Sequence, residues 1–177
     1  MKMRCMVFSL VLAMIFGICA NAEDICIQET YTVKNGSKEA TFSYPQGCTI
    51  EDEGPLGAIV RLDPESYIAV SIPRKNNTGT QKLLENIGDE QKITQLTDDV
   101  HVFSSHGESN HPMLSRFDIV EVGIDLGKHM GVIVNVHCPY GQTDIYEVAM
   151  TIVESLTEDT AFSEWLTETW IPYIQQQ

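Results

Sequence analysis

The sequence is short of positive charge. Against 25 Asp and Glu it carries 11 Lys and Arg, for a formal net charge of −14. Nucleic acid and anionic membrane both reward clustered Lys and Arg, so neither is an expected partner. The short patterns of common enzyme chemistry are missing too. Gly-x-Ser-x-Gly, His-Glu-x-x-His, the phosphate-cradling Gly-Lys-Ser/Thr loop and the EF-hand loop are all absent. No Cys-x-x-Cys or Cys/His spacing of a structural zinc site occurs. The apolar run at residues 6–18 is 13 residues long. As a helix it would measure about 20 Å against a hydrocarbon core of about 30 Å, so no stable membrane span is expected of the mature form.

That run has another use. Lys2 and Arg4 precede it and Ala20-Asn21-Ala22 follows it, the charged start, apolar middle and small-residue cleavage site of a secretory signal peptide. Residues 1–22 are therefore expected to be removed, and residues 23–177 to form a single globular domain in a secreted or periplasmic setting. The bulky Ile18 before Cys19 disfavours lipidation. Loss of Lys2 and Arg4 takes the formal charge from −14 to −16, a surface that serves solubility first. Cys5 and Cys19 leave with the signal, so Cys26, Cys48 and Cys138 remain in an oxidising compartment. One disulfide and one buried thiol are expected, with all three pairings open.

The mature sequence alternates in strand fashion from its start. Ile25, Ile27, Tyr31 and Val33 face away from Gln28, Thr30 and Thr32; Asn35-Gly36 turns the chain, and Ala40, Phe42 and Tyr44 return, which predicts a hairpin. Short strands follow at residues 58–62 and 67–72, separated by the turn formers Asp63 and Pro64. Leu83, Leu84 and Ile87 predict a helix capped by Thr80, ending near Gly88 or running on to Ile93. Strands are predicted at residues 100–104, 114–124 and 130–136, with Gly127 in the last turn. The consecutive apolar Val132, Ile133 and Val134 require a central strand covered on both faces. Ile145, Val148, Ala149, Ile152, Val153 and Leu156 make an amphipathic helical stripe, and a second helix carries Phe162, Trp165 and Leu166 until Pro172 ends it.

Three groups of residues bear on function. His101, His106 and His111, with Glu108, invite a metal site, but a spacing of five rotates a helix by about 140° per step and alternates faces on a strand. Solvated histidines in a polar loop beginning at His106 are the simpler expectation, and His129 and His137 are expected to cap strand ends. The acidic runs Asp98-Asp99 and Glu51-Asp52-Glu53 lie in polar stretches, where a carboxylate lacks the desolvation that acid–base catalysis needs. Trp165, Trp170 and Tyr173 gather large aromatics near the carboxy terminus, either as core or as a partner surface.

The order of hairpin, meander, helix, long strands and amphipathic helix, opened by Phe42-Ser43-Tyr44-Pro45-Gln46-Gly47 and closed by Ile152-Val153-Glu154-Ser155-Leu156, resembles the PsbP/Mog1-like group of exported domains over roughly residues 25 to 157. Cys48 stands where such sequences often carry Trp. The resemblance implies an α/β/α sandwich about an antiparallel sheet and an accessory or partner-binding role, and it carries over no catalytic residue, cofactor or metal ligand. The expected fold class is thus α+β, an antiparallel sheet with flanking helices. The expected function is a non-catalytic accessory or binding domain of the envelope or extracellular space, taking a protein or small ligand. The alternative is a small secreted hydrolase or metal-binding protein using the loop from His101 to His111.

Overall fold

The computed structural model describes residues 27–74, 77–107, 117–127 and 129–177. The expected signal segment, Cys26, Glu108 and His111 lie outside those residues. Strands β1 (Gln28–Asn35) and β2 (Lys38–Pro45) pair in antiparallel register from Gln28 with Pro45 to Asn35 with Lys38. The loop is Gly36-Ser37, one residue later than Asn35-Gly36. Gly36 takes φ 66°, the first central position of a type II′ turn. Asn35 stays in the ladder, and its side-chain amide donates to the Ile72 carbonyl at 2.9 Å.

The remaining strands form one antiparallel sheet. They are β3 (Thr49–Asp52), β4 (Ala58–Arg61), β5 (Tyr67–Ser71), β6 (Thr94–Gln95), β7 (Val100–His106), β8 (Phe117–Asp125) and β9 (Gly131–Pro139), in the order β3-β4-β5-β9-β8-β7-β6. Strand β9 is fourth of seven, and Val132, Ile133 and Val134 are all buried, as an apolar run on both faces of a central strand requires.

The core lies on one face of this sheet. Val60, Ile68, Val70, Val102, Val120, Val122, Val134 and Val136 meet the buried stripe of helix α2 (Asp144–Thr157), chiefly Ile145, Ala149, Ile152 and Val153, with Phe42 and Tyr44 of the hairpin. Ser43 of the hairpin donates its backbone N–H to Ser155 Oγ of α2 at 2.9 Å. The other face carries helix α1 (Gly79–Ile87). Its cap is Thr78 rather than Thr80, in a reciprocal capping box with Gln81. Gly88, at φ 71°, stops it short of Ile93.

The carboxy-terminal segment runs from α3 (Ala161–Trp165) through a π-helical turn (Leu166–Trp170) into α4 (Ile171–Ile174). Pro172 does not end it. Proline lacks the N–H for one helical bond, and the widened turn before it carries the chain past that position. The wider turn also keeps a buried row in line. Phe162, Leu166, Trp170 and Ile174 recur every four residues, a spacing that drifts about 40° per step on a regular α-helix. Among the described residues no helix is long and apolar enough to cross a membrane.

Candidate functional site

Side chains on a strand alternate between faces, so register decides which inward residues become neighbours. Across β7, β8 and β9 the inward rungs are Val102, Val122 and Val134, then Ser104, Val120 and Val136, then His106, Asp118 and Cys138. The first rung is apolar. The last, at the end of the sheet, brings three chemically active groups side by side beneath the helical layer.

His106 belongs to strand β7 rather than to a polar loop. Its Nδ1 lies 2.6 Å from Asp118 Oδ1, and Asp118 Oδ2 accepts the Gly141 backbone N–H at 2.9 Å. Both side chains are buried, 5% and 0% exposed. A carboxylate only accepts hydrogen bonds, so Nδ1 is the donor. The pairing fixes the tautomer and the ring orientation and leaves Nε2 as the unprotonated nitrogen. Nε2 is buried and has no hydrogen-bond partner among the described residues.

Aromatic rings surround this imidazole. Tyr140 lies tilted by 31° at 3.9 Å between centroids, while Trp170 and Tyr173 approach edge-on at 6.3 and 5.8 Å. His106 sits at a cleft of about 310 Å3 lined by Trp165, Trp170 and Tyr173 together with Thr94, Ser104, Ser105 and Thr169. Trp165 is stacked between Phe162 and Trp170. Trp170 is 4% exposed and Tyr173 44%, so the closing helix turns one side into the core and lines the cleft with the other.

A second layer of hydrogen bonds holds this wall. Trp170 Nε1–H donates to the Tyr146 hydroxyl at 2.8 Å, and the Cys138 thiol lies 3.6 Å from the same oxygen. Cys138 also donates to the Gln142 carbonyl at 3.5 Å, and Ser66 Oγ donates to Gln142 Oε1 at 2.9 Å. Burial pushes the Cys138 thiol up to about 12 and raises the Tyr146 hydroxyl as well. Neither is a nucleophile at neutral pH. Cys138 also flanks Asp118 on the side away from the imidazole.

The other candidates lie apart. His101 is on the opposite face of β7, where its Nδ1 meets Thr80 Oγ1 at 2.9 Å, so His101 and His106 cannot share a metal. Among the described residues no group of three His, Cys, Asp or Glu is placed to hold one. His137 lies within β9 rather than at its end and stacks on Tyr67 at 4.8 Å; burial lowers its pKa. Asp98 and Asp99 are exposed, as are Glu51, Asp52 and Glu53. Glu51 is bound to Arg61 at 2.8 Å, which holds its carboxyl below the usual range.

Asp118, Tyr140, Gly141 and Tyr146 escaped the sequence reading. A signal for Asp118 did exist: it interrupts an inward row that otherwise reads Val120, Val122 and Ile124. Comparison of this chain with protein-family models, with curated proteins and with solved structures finds no match to any of them.

Proposed function

We propose that this protein is an exported, non-catalytic binding domain and that its small-ligand site is the cleft above His106. One observation carries the reading. A buried imidazole nitrogen, oriented by a buried carboxylate, has no partner among the described residues, and its ring borders an aromatic cleft. An unmet buried acceptor costs about 1–3 kcal/mol, and a ligand N–H or O–H removes that cost on binding. The resemblance to PsbP/Mog1-like exported domains supports an accessory role, and the signal-like leader supports export.

A second reading draws on the same dyad. A carboxylate-oriented histidine is the base half of a hydrolytic triad. Among the described residues, however, no hydroxyl or thiol is hydrogen-bonded to His106 Nε2. The binding reading is therefore preferred.

The test uses the mature chain and a set of fragments spanning cations, anions, neutral aromatics and polyols at millimolar concentration. The two tryptophans of the sequence, Trp165 and Trp170, both line the cleft, so intrinsic fluorescence reports the site directly. Saturable quenching by at least one class, lost in Tyr173→Ala with the melting temperature unchanged, is the expected result. No response to any class overturns the reading. Mass spectrometry of the recovered fragment separates binding from chemistry: an altered fragment moves the assignment to a hydrolase with His106 as base.

A further inference from the structure

We infer that the occupant of the cleft is an extended peptide segment of another protein, which adds a strand to the open edge of β7 and places an apolar side chain against the closing helix. This rests on the reading of the cleft as a binding site and adds the class of its occupant. The cleft touches Ser104, Ser105 and His106 in succession, and Thr94 of β6. Side chains on a strand alternate between faces, so three consecutive residues mark the edge of the strand and not one face. The ladder fixes which groups that edge presents. Gly107 N–H donates to the Phe117 carbonyl and Asp125 N–H to the Asp99 carbonyl. In this register the odd-numbered residues of β7 bond to β8, and the even-numbered ones turn their N–H and C=O away from it. Val102 turns toward Thr94, the first residue of β6. Beyond it, Ser104 and His106 have no strand partner on that side among the described residues.

A row of unpaired peptide groups is a template for another strand unless charge, proline or a bulge blunts it. The opposite edge of the sheet, β3, carries Glu51 and Asp52 and runs on into Glu53 and Pro55. Strand β7 carries no Asp, Glu, Lys, Arg or Pro from Val100 to His106. Residues of an added strand opposite Ser104 and His106 share the inward face of those two, so alternate side chains enter the cleft. There they meet Trp165, Thr169 and Tyr173 of the closing helix, of which Tyr173 is 44% exposed. A volume of about 310 Å3 is on the scale of one large side chain. Charge selects the flanks. Residues 129–177, which supply this wall, hold seven Asp and Glu and no Lys or Arg, and Glu164 and Glu168 are exposed on the closing helix itself. The segment that fits is therefore an aromatic or aliphatic residue flanked by Lys or Arg in an extended chain.

The experiment selects a displayed library of short random peptides on the mature protein and titrates the enriched peptides by tryptophan fluorescence. Enrichment of sequences with an aromatic or aliphatic residue flanked by Lys or Arg is expected. Backbone N-methylation of the best peptide should weaken it by ~10-fold or more at alternate amides, the worth of one hydrogen bond, and little at the amides between them. Ser104→Pro removes an outward N–H and no bond to β8, and should weaken binding to the same degree. Thr169→Lys, at an exposed position, should weaken it several-fold by charge repulsion, and it decides if the proline variant fails to fold. Enriched peptides indifferent to N-methylation, or no enrichment while small fragments still quench, overturn the added strand and leave the cleft as a binding site. A chain that dimerises by itself, but not after Ser104→Pro, makes a second copy the occupant and overturns the peptide assignment. Silence from peptides and fragments alike overturns both readings.

Discussion

At the scale of single residues, the protein buries most of a second carboxylate. Glu121 points to the α1 side of the sheet, is 9% exposed, and accepts a hydrogen bond from the Asn86 side chain. Burial raises its pKa, with Asn86 and the charge of Lys82 pulling the other way. A carboxylate whose folded value is raised is penalised in its ionised form, so the cost stands at neutral pH and disappears as pH falls to the ordinary glutamate range. Glu121→Gln keeps an acceptor for Asn86 and removes the charge. It should raise stability at pH 7 by ~1 kcal/mol, a few degrees in the melting midpoint, with the gain shrinking toward zero in acid. Thermal melts at pH 7 and pH 4 check this, and an unchanged or lowered midpoint at pH 7 would refute it. Asp118 differs in kind, because both of its oxygens are satisfied by His106 and Gly141.

At the scale of elements, helix α1 reaches the sheet through glycine. A Cβ on Gly131 would come within 1.9 Å of the Gly79 backbone nitrogen, and one on Gly79 within 2.2 Å of the Ile124 carbonyl oxygen. The first turn of α1 thus rests directly on the backbones of β8 and β9, and neither side can give. Gly131→Ala should therefore cost about 2–3 kcal/mol through overpacking. In a urea titration this would be a lower midpoint at unchanged slope; an unchanged midpoint would show that α1 can shift without loss. The closing helix solves a different problem. Its π turn lets one element bury Phe162, Leu166, Trp170 and Ile174 while Trp165 and Tyr173 remain on the cleft. Core and site are two sides of the same helix there, which is why the aromatic tail read alone supported either use.

At the scale of the whole molecule, the covalent closure of the chain follows from where Cys138 lies. It is fully buried and, among the described residues, has no disulfide partner. Gln46 N–H meets the Ile27 carbonyl at 2.8 Å, and in sequence Ile27 follows Cys26 while Gln46 is two residues before Cys48. A Cys26–Cys48 disulfide is therefore predicted. Closing a loop of about 20 residues, it would be worth ~3 kcal/mol. Thiol titration of the denatured, unreduced mature protein should find one thiol per chain and, after reduction, three. Finding three without reduction would sink the idea. In the native state at pH 8 that single thiol should resist alkylation, since burial holds it near 12.

Local pattern was enough for the hairpin, the antiparallel class, the central place of β9 and the buried stripe of α2, because the periods of strand and helix are written in neighbouring residues. That His101 and His106 face opposite sides of one strand was not legible, because the sequence placed His106 in a loop. The site lay beyond that reach. His106, Asp118 and Cys138 are separated by 12 and 20 positions, and only the pairing of three strands sets them on one rung. That register comes from the fit of the valine rungs beneath α2, and Trp170 arrives from the far end of the chain only once the closing helix has packed. Alternation along each strand was a property of the sequence. Which polar residue met which was decided by the packing that aligned the strands.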